Sequence, residues 1–72
     1  MSSFHERLKQ LRKETGETQK QMADFLELTE RTYRAYEAGD IDPPSSKAAK
    51  LADHFNVSLD YLLGRSDDAM MR

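Results

Sequence analysis

The chain has 72 residues, of which 38% are hydrophobic and 33% charged, with a net charge of −2 and a mean hydropathy of −0.84. That length holds one small core at most, since a domain near 60 residues buries only about 60% of the surface its unfolded chain exposes. No apolar run approaches the roughly 18 residues of a membrane span, the opening MSSFHERLKQ lacks the apolar stretch of a secretory signal, and the absence of cysteine removes disulfides and thiolate metal sites.

The charge is unevenly spread. Residues 1–36 carry seven basic and six acidic side chains, and residues 37–72 carry four basic and seven acidic. The first half is therefore +1 and the second −3, so a face for a polyanion belongs to the first half. A cytoplasmic location is expected.

Helical spacing runs along the whole chain and no segment alternates with period two. Phe4, Leu8 and Leu11 share one helix face, and Gly16 ends that helix after a lysine-containing last turn. Thr18 followed by Gln21 is a capping box that starts a second helix. Met22, Ala23 and Leu26 form its inward stripe, with Phe25 off the stripe and half covered. Thr29 is the N-cap of a third helix over residues 29–37 that buries Tyr33 and Tyr36, and Ala38-Gly39 closes it. Pro43 and Pro44 forbid a helix interior but suit the start of a fourth helix, residues 44–55, with Ala48, Leu51, Ala52 and Phe55 inward. Asn56 breaks it. Ser58 then caps a fifth helix with Leu59, Leu62 and Leu63 inward, and Gly64 follows as its C-cap. The expected domain is residues 1–66, followed by a flexible C-terminal tail, residues 67–72. The second and third helices are about two turns each, too short to stand alone, and only Glu27-Leu28-Thr29 separates them. A turn that tight imposes a large crossing angle, which is the helix-turn-helix arrangement.

The segment TQKQMADFLELTERTYRAYE, residues 18–37, resembles the helix-turn-helix of the phage repressor and Cro-type family, also called the XRE family. RLKQLRKETGETQ upstream is similar to that family's first helix and turn. EAGDIDPPSSKAAKLADHFNVSLDYLLGRSD downstream is similar to its glycine turn, its KLAD helix and its VSLDYLLG fifth helix. The likeness spans about residues 4–67. It implies an all-α, five-helix lambda-repressor-like DNA-binding domain, and a sequence-specific regulator, a repressor, that reads the major groove of a double-stranded operator.

Position by position, the resemblance implies base reading by Glu30, Arg31, Arg34 and Ala35. It implies phosphate contact by Gln19 and a buried ion pair between Arg12 and Glu37; Thr29, the cap of the third helix, and Lys47, near the start of the fourth, are further phosphate candidates. The side-chain chemistry fits: arginine matches the guanine O6/N7 edge with two parallel hydrogen bonds, glutamate accepts from cytosine N4, and an alanine methyl packs on a thymine methyl. A small recognition helix touches few base pairs, so a homodimer on a palindromic operator is expected. Leu59, Tyr61, Leu62 and Leu63 exceed what one thin core needs and supply the dimer surface, with Met70 and Met71 nearby.

Two departures from the family pattern have consequences. Glu27 stands where glycine is common, and a positive φ there costs roughly 1 kcal/mol. Asp40 and Asp42 stand where basic residues are common, and carboxylates near phosphate repel instead of releasing counterions. These aspartates and the acidic second half also suit an alternative, a helix-turn-helix-fold protein-interaction module such as an antitoxin-like or anti-repressor subunit. His5 and His54 have no partner at metal-ligand spacing, and Asp40-Ile41-Asp42 lacks the glycine and terminal glutamate of a calcium loop. No metal, cofactor, small-molecule ligand, membrane association or enzymatic activity is expected.

Overall fold

The computed structural model describes residues 3–66 and 68. These residues form α1 (Phe4–Thr15), α2 (Gln19–Phe25), α3 (Glu30–Ala38), α4 (Ser45–Phe55) and α5 (Leu59–Leu62), with no strand among them. α2 packs on α3, α1 lies against α3 and α5, and α4 lies against α5. Where they meet, Leu8, Met22, Leu26, Tyr33, Leu51 and Leu62 are fully buried. Phe4, Leu11, Phe25, Leu28 and Tyr61 are partly buried and pack around that core. Five helices around one thin core is the arrangement the spacing predicts.

Side chains a few residues away set the helix ends. The Thr18 hydroxyl accepts from the Gln21 amide at 3.0 Å, and the Gln21 side chain accepts from the Thr18 amide at 2.8 Å. Thr29 and Ser58 accept from the amides of Thr32 and Tyr61. Each such bond satisfies a donor that the first helical turn leaves open. The third and fourth helices start one residue later than expected because Thr29 and Pro44 are caps outside them. α5 closes after one turn at Leu63, one residue before the glycine expected to cap it.

Gly39 has φ +82, and a Cβ there would meet the His5 ring at 3.1 Å. Both its left-handed backbone and the ring of α1 therefore require glycine. The turn between α2 and α3 takes a positive φ of 59° at Glu27, the conformation that costs a non-glycine residue energy. Glu27→Gly is expected to raise stability by about 0.5–1 kcal/mol, the relief of left-handed strain less the entropy that glycine adds to the unfolded chain. Urea denaturation monitored by circular dichroism checks it, and a loss of stability would show that the Glu27 side chain holds the turn.

The expected dimer surface on α5 needs one correction. Leu62 lies wholly inside the monomer and has no surface to offer a partner. Leu59 is 38% exposed, while Tyr61 and Leu63 are partly buried. Of the expected tail, Asp68 alone is described: its carbonyl accepts from the Ser58 hydroxyl at 3.1 Å and its amide donates to the Ser66 hydroxyl at 3.1 Å. Met70 and Met71 lie outside the described residues. No helix among the described residues is long and apolar enough to cross a membrane.

Candidate nucleic-acid interface

α3 turns Tyr33, Tyr36 and Glu37 into the protein and leaves Arg31 and Arg34 exposed, with Glu30, Thr32 and Ala35 at intermediate exposure. The split follows from spacing, since positions 33, 36 and 37 step along one helix face and 30, 31 and 34 lie off it. Arg31 makes no hydrogen bond or ion pair among the described residues, so its guanidinium is available to a ligand. Glu30 and Arg34 are four residues apart and paired to each other by an Nη2–carboxylate hydrogen bond. The base-reading candidates are thus one arginine without a partner among the described residues, one acid–base couple, and the partly exposed Ala35.

The expected Arg12–Glu37 pair is present and bidentate. Arg12 Nε donates to Glu37 Oε2 at 2.5 Å and Nη2 donates to Oε1 at 3.1 Å. The Arg12 side chain is 13% exposed and that of Glu37 4%. Burial alone would raise the Glu37 carboxyl. The hydrogen bonds from Arg12 and Gln19, with the Tyr33 phenol nearby, outweigh it and hold the group below its ordinary value. Hydrogen bonding to Glu37 likewise raises the Arg12 guanidinium above its ordinary value. Burial, and next the adjacent carboxylate, push the Tyr33 phenol well above its ordinary range. The Tyr33 hydroxyl is buried beside this pair without a partner at hydrogen-bond geometry.

Gln19, the expected phosphate contact, is engaged at both ends of its amide within the protein. Its Nε2 donates to Glu37 Oε1 at 3.2 Å and its Oε1 accepts from Arg34 Nε at 3.2 Å. One amide hydrogen remains uncommitted. Lys47 is also turned inward: its Nζ donates to the Leu26 carbonyl at 2.6 Å, closing the end of α2. The Thr29 hydroxyl donates to Thr32 Oγ1 at 2.9 Å while capping α3. Asp40 and Asp42 are exposed in the loop after α3.

Two fastenings were not anticipated. Arg7 is 6% exposed; its Nη1 donates to the carbonyls of Tyr61 at 2.8 Å and Ser66 at 2.7 Å, and its guanidinium lies 4.2 Å from the centre of the Tyr61 ring. The signal was in the spacing, because residue 7 lies three after Phe4 and four before Leu11, on the buried face. His54 has a partner after all: its Nε2 is 2.7 Å from Glu17 Oε1, and its ring centroid lies 4.5 Å from that of Phe25. Burial tends to raise the Glu17 carboxyl, but hydrogen bonds with His54 and Thr15 hold it below its ordinary value. Residues 17 and 54 are too far apart in sequence for any periodic pattern to pair them.

A family model described as helix-turn-helix matches residues 8–62, from the first helix through the last. The chain belongs to this helix-turn-helix family. Within the family, it is 41% identical over 65 residues to the uncharacterized HTH-type transcriptional regulator YobD of Bacillus subtilis (strain 168), covering 90% of this chain and 58% of that one. It is 40% identical over 60 residues to the cryptic phage CTXphi transcriptional repressor RstR of Vibrio cholerae serotype O1, covering 83% and 52%. A crystal structure of a transcriptional regulator from Listeria innocua superposes with a TM-score of 0.83 at 37% identity, over 86% of this chain and 58% of that one. The expected family and the expected all-α helix-turn-helix fold are thus both met. The chain spans about half the length of the curated relatives it matches.

Proposed function

We propose that this helix-turn-helix chain is a sequence-specific, non-enzymatic regulator of transcription that binds double-stranded DNA and represses by occupying an operator. The observation that carries the reading is Arg31, exposed on α3 and without a partner among the described residues. An arginine so placed has its full fork of donors for a guanine edge in the major groove. The roles of its relatives, transcriptional regulator and transcriptional repressor, support the same reading. α3 spans Glu30–Ala38, too short to address more than a few base pairs. A homodimer on a palindromic operator, with half-sites about one helical turn apart, supplies the missing discrimination. Leu59, 38% exposed, with Tyr61 and Leu63 beside it, is the surface proposed for the second copy.

Selection of bound sequences from random duplex DNA tests this. A palindromic consensus is expected, and Arg31→Ala is expected to weaken specific binding by about 1–3 kcal/mol and to flatten the preference at one base position in each half-site. A uniform loss of affinity with every base preference intact would remove Arg31 from readout. Absence of any enrichment would end the DNA-binding reading.

A further inference from the structure

We propose that Gln19 is a positioning residue for base recognition: held by the buried Glu37, it aims Arg34 so that the outer fork of that guanidinium addresses a guanine. The inference rests on the DNA-reading role of α3 proposed above and assigns Gln19 a task beyond phosphate contact.

The geometry forms one continuous chain of side chains. Arg12 on α1 holds Glu37 at the end of α3 by two hydrogen bonds. Glu37 accepts from Gln19 Nε2 at the start of α2, and Gln19 Oε1 accepts from Arg34 Nε on the exposed face of α3. Direction follows from chemistry. An ionised carboxylate only accepts, so Glu37 fixes which end of the Gln19 amide faces it. The amide oxygen must then face Arg34, whose guanidinium only donates. A free amide could turn either way, but this one is set from the buried side.

Arg34 is held at two points, by Gln19 at Nε and by Glu30 at Nη2. Nη1 keeps both of its hydrogens and Nη2 keeps one. That remainder is enough for the two parallel bonds to guanine O6 and N7. Two restraints thus act on a side chain that is itself 61% exposed. An exposed arginine on a single helix pair samples many rotamers, and ordering it on DNA opposes binding. Fixing it in advance sharpens preference for the base it meets. Glu30 contributes a second effect, since its negative charge on the same face disfavours any site where Arg34 fails to find its acceptors.

The test measures base preference for the full chain and three variants on randomised duplexes, at two salt concentrations. Arg34→Ala and Arg34→Lys are both expected to lose a guanine preference at one position per half-site, the lysine variant keeping the salt dependence of the parent. Gln19→Ala is expected to reduce preference at that same position by about two- to tenfold, the ordering supplied by one hydrogen bond, and to leave the position read by Arg31 unchanged. Alanine at the first position of α2 is a good helix former, so this variant folds. If Gln19→Ala lowers affinity for all sequences equally and the Arg34 position keeps its preference, the positioning role is overturned while DNA reading stands. The same holds if Arg34→Ala changes no base preference. If the parent chain enriches no sequence at all, the DNA-reading role fails and this inference fails with it.

Discussion

Replacing Glu37 by alanine is expected to cost about 3–5 kcal/mol of folding stability, because it strands the Arg12 guanidinium without its buried partner. Arg12 retains 13% side-chain exposure, and water at that edge brings the loss toward the lower figure. A chain of 72 residues has about 4–11 kcal/mol in total, so the variant stands near the limit of folding. The loss is larger than for an exposed pair because Glu37 also receives Gln19 and lies beside the orphan Tyr33 hydroxyl. Urea denaturation at neutral pH checks the figure, and a cost under 1 kcal/mol would show that the pair behaves as a surface ion pair. Glu37→Gln keeps the shape and loses less.

The same pair sets an acid limit. The Glu37 carboxyl is held below its ordinary value of 4.5 in the folded chain. Its ionised form therefore stabilises the fold fully at neutral pH. As pH falls below about 4.5, the unfolded chain takes up the proton first, and that stabilisation is lost down through the lower folded value. Stability measured from pH 7 to pH 3 should fall less steeply for Glu37→Gln than for the parent. Some slope remains in the variant, since Glu17 is held down in the same direction. Parallel curves would show that the Glu37 proton is not linked to folding.

Arg7→Ala is expected to cost about 2–4 kcal/mol. It removes two hydrogen bonds from a charged donor to main-chain carbonyls, each worth roughly 1.5–3 kcal/mol when the partner is buried and not additive in full. It also removes the guanidinium that lies over the Tyr61 ring and the buried stem that carries it. Arg7→Met keeps much of that stem and should recover part of the loss, which separates packing from hydrogen bonding. Thermal denaturation of both variants checks the order. Equal losses would mean that the stem contributes nothing and that the guanidinium carries the whole effect.

What could be read from the residues follows a division between near and far. The caps at Thr18, Thr29 and Ser58 and the breaks at Gly16 and Asn56 are local chemistry, complete within a few residues, and each stands where expected. The core stripe was legible for the same reason. The commitments of Gln19 and Lys47 were not, because each depends on an acceptor brought near by tertiary packing: Glu37 and the Leu26 carbonyl. Spacing could not choose between Leu59 and Leu62, which lie three apart on a helix of one turn; docking against α1 and α4 buried one and left the other partly outside. Arg7 shows the opposite failure. Its position on the buried face was visible, but its charge argued against burial until main-chain acceptors were seen to receive it.

Those acceptors have a consequence for how this sequence can drift. Arg7 reaches 54 and 59 residues along the chain to join its first helix to its last turn, and both hydrogen bonds end on carbonyl oxygens that every amino acid carries. A change of side chain at position 66 therefore leaves its half of the fastening in place. A single change at position 7 undoes both halves. Mutational tolerance along this long-range link is accordingly lopsided: the hydrogen bond at position 66 does not depend on the side chain there, whereas position 61 also supplies a ring to the guanidinium and position 7 supplies the donor itself.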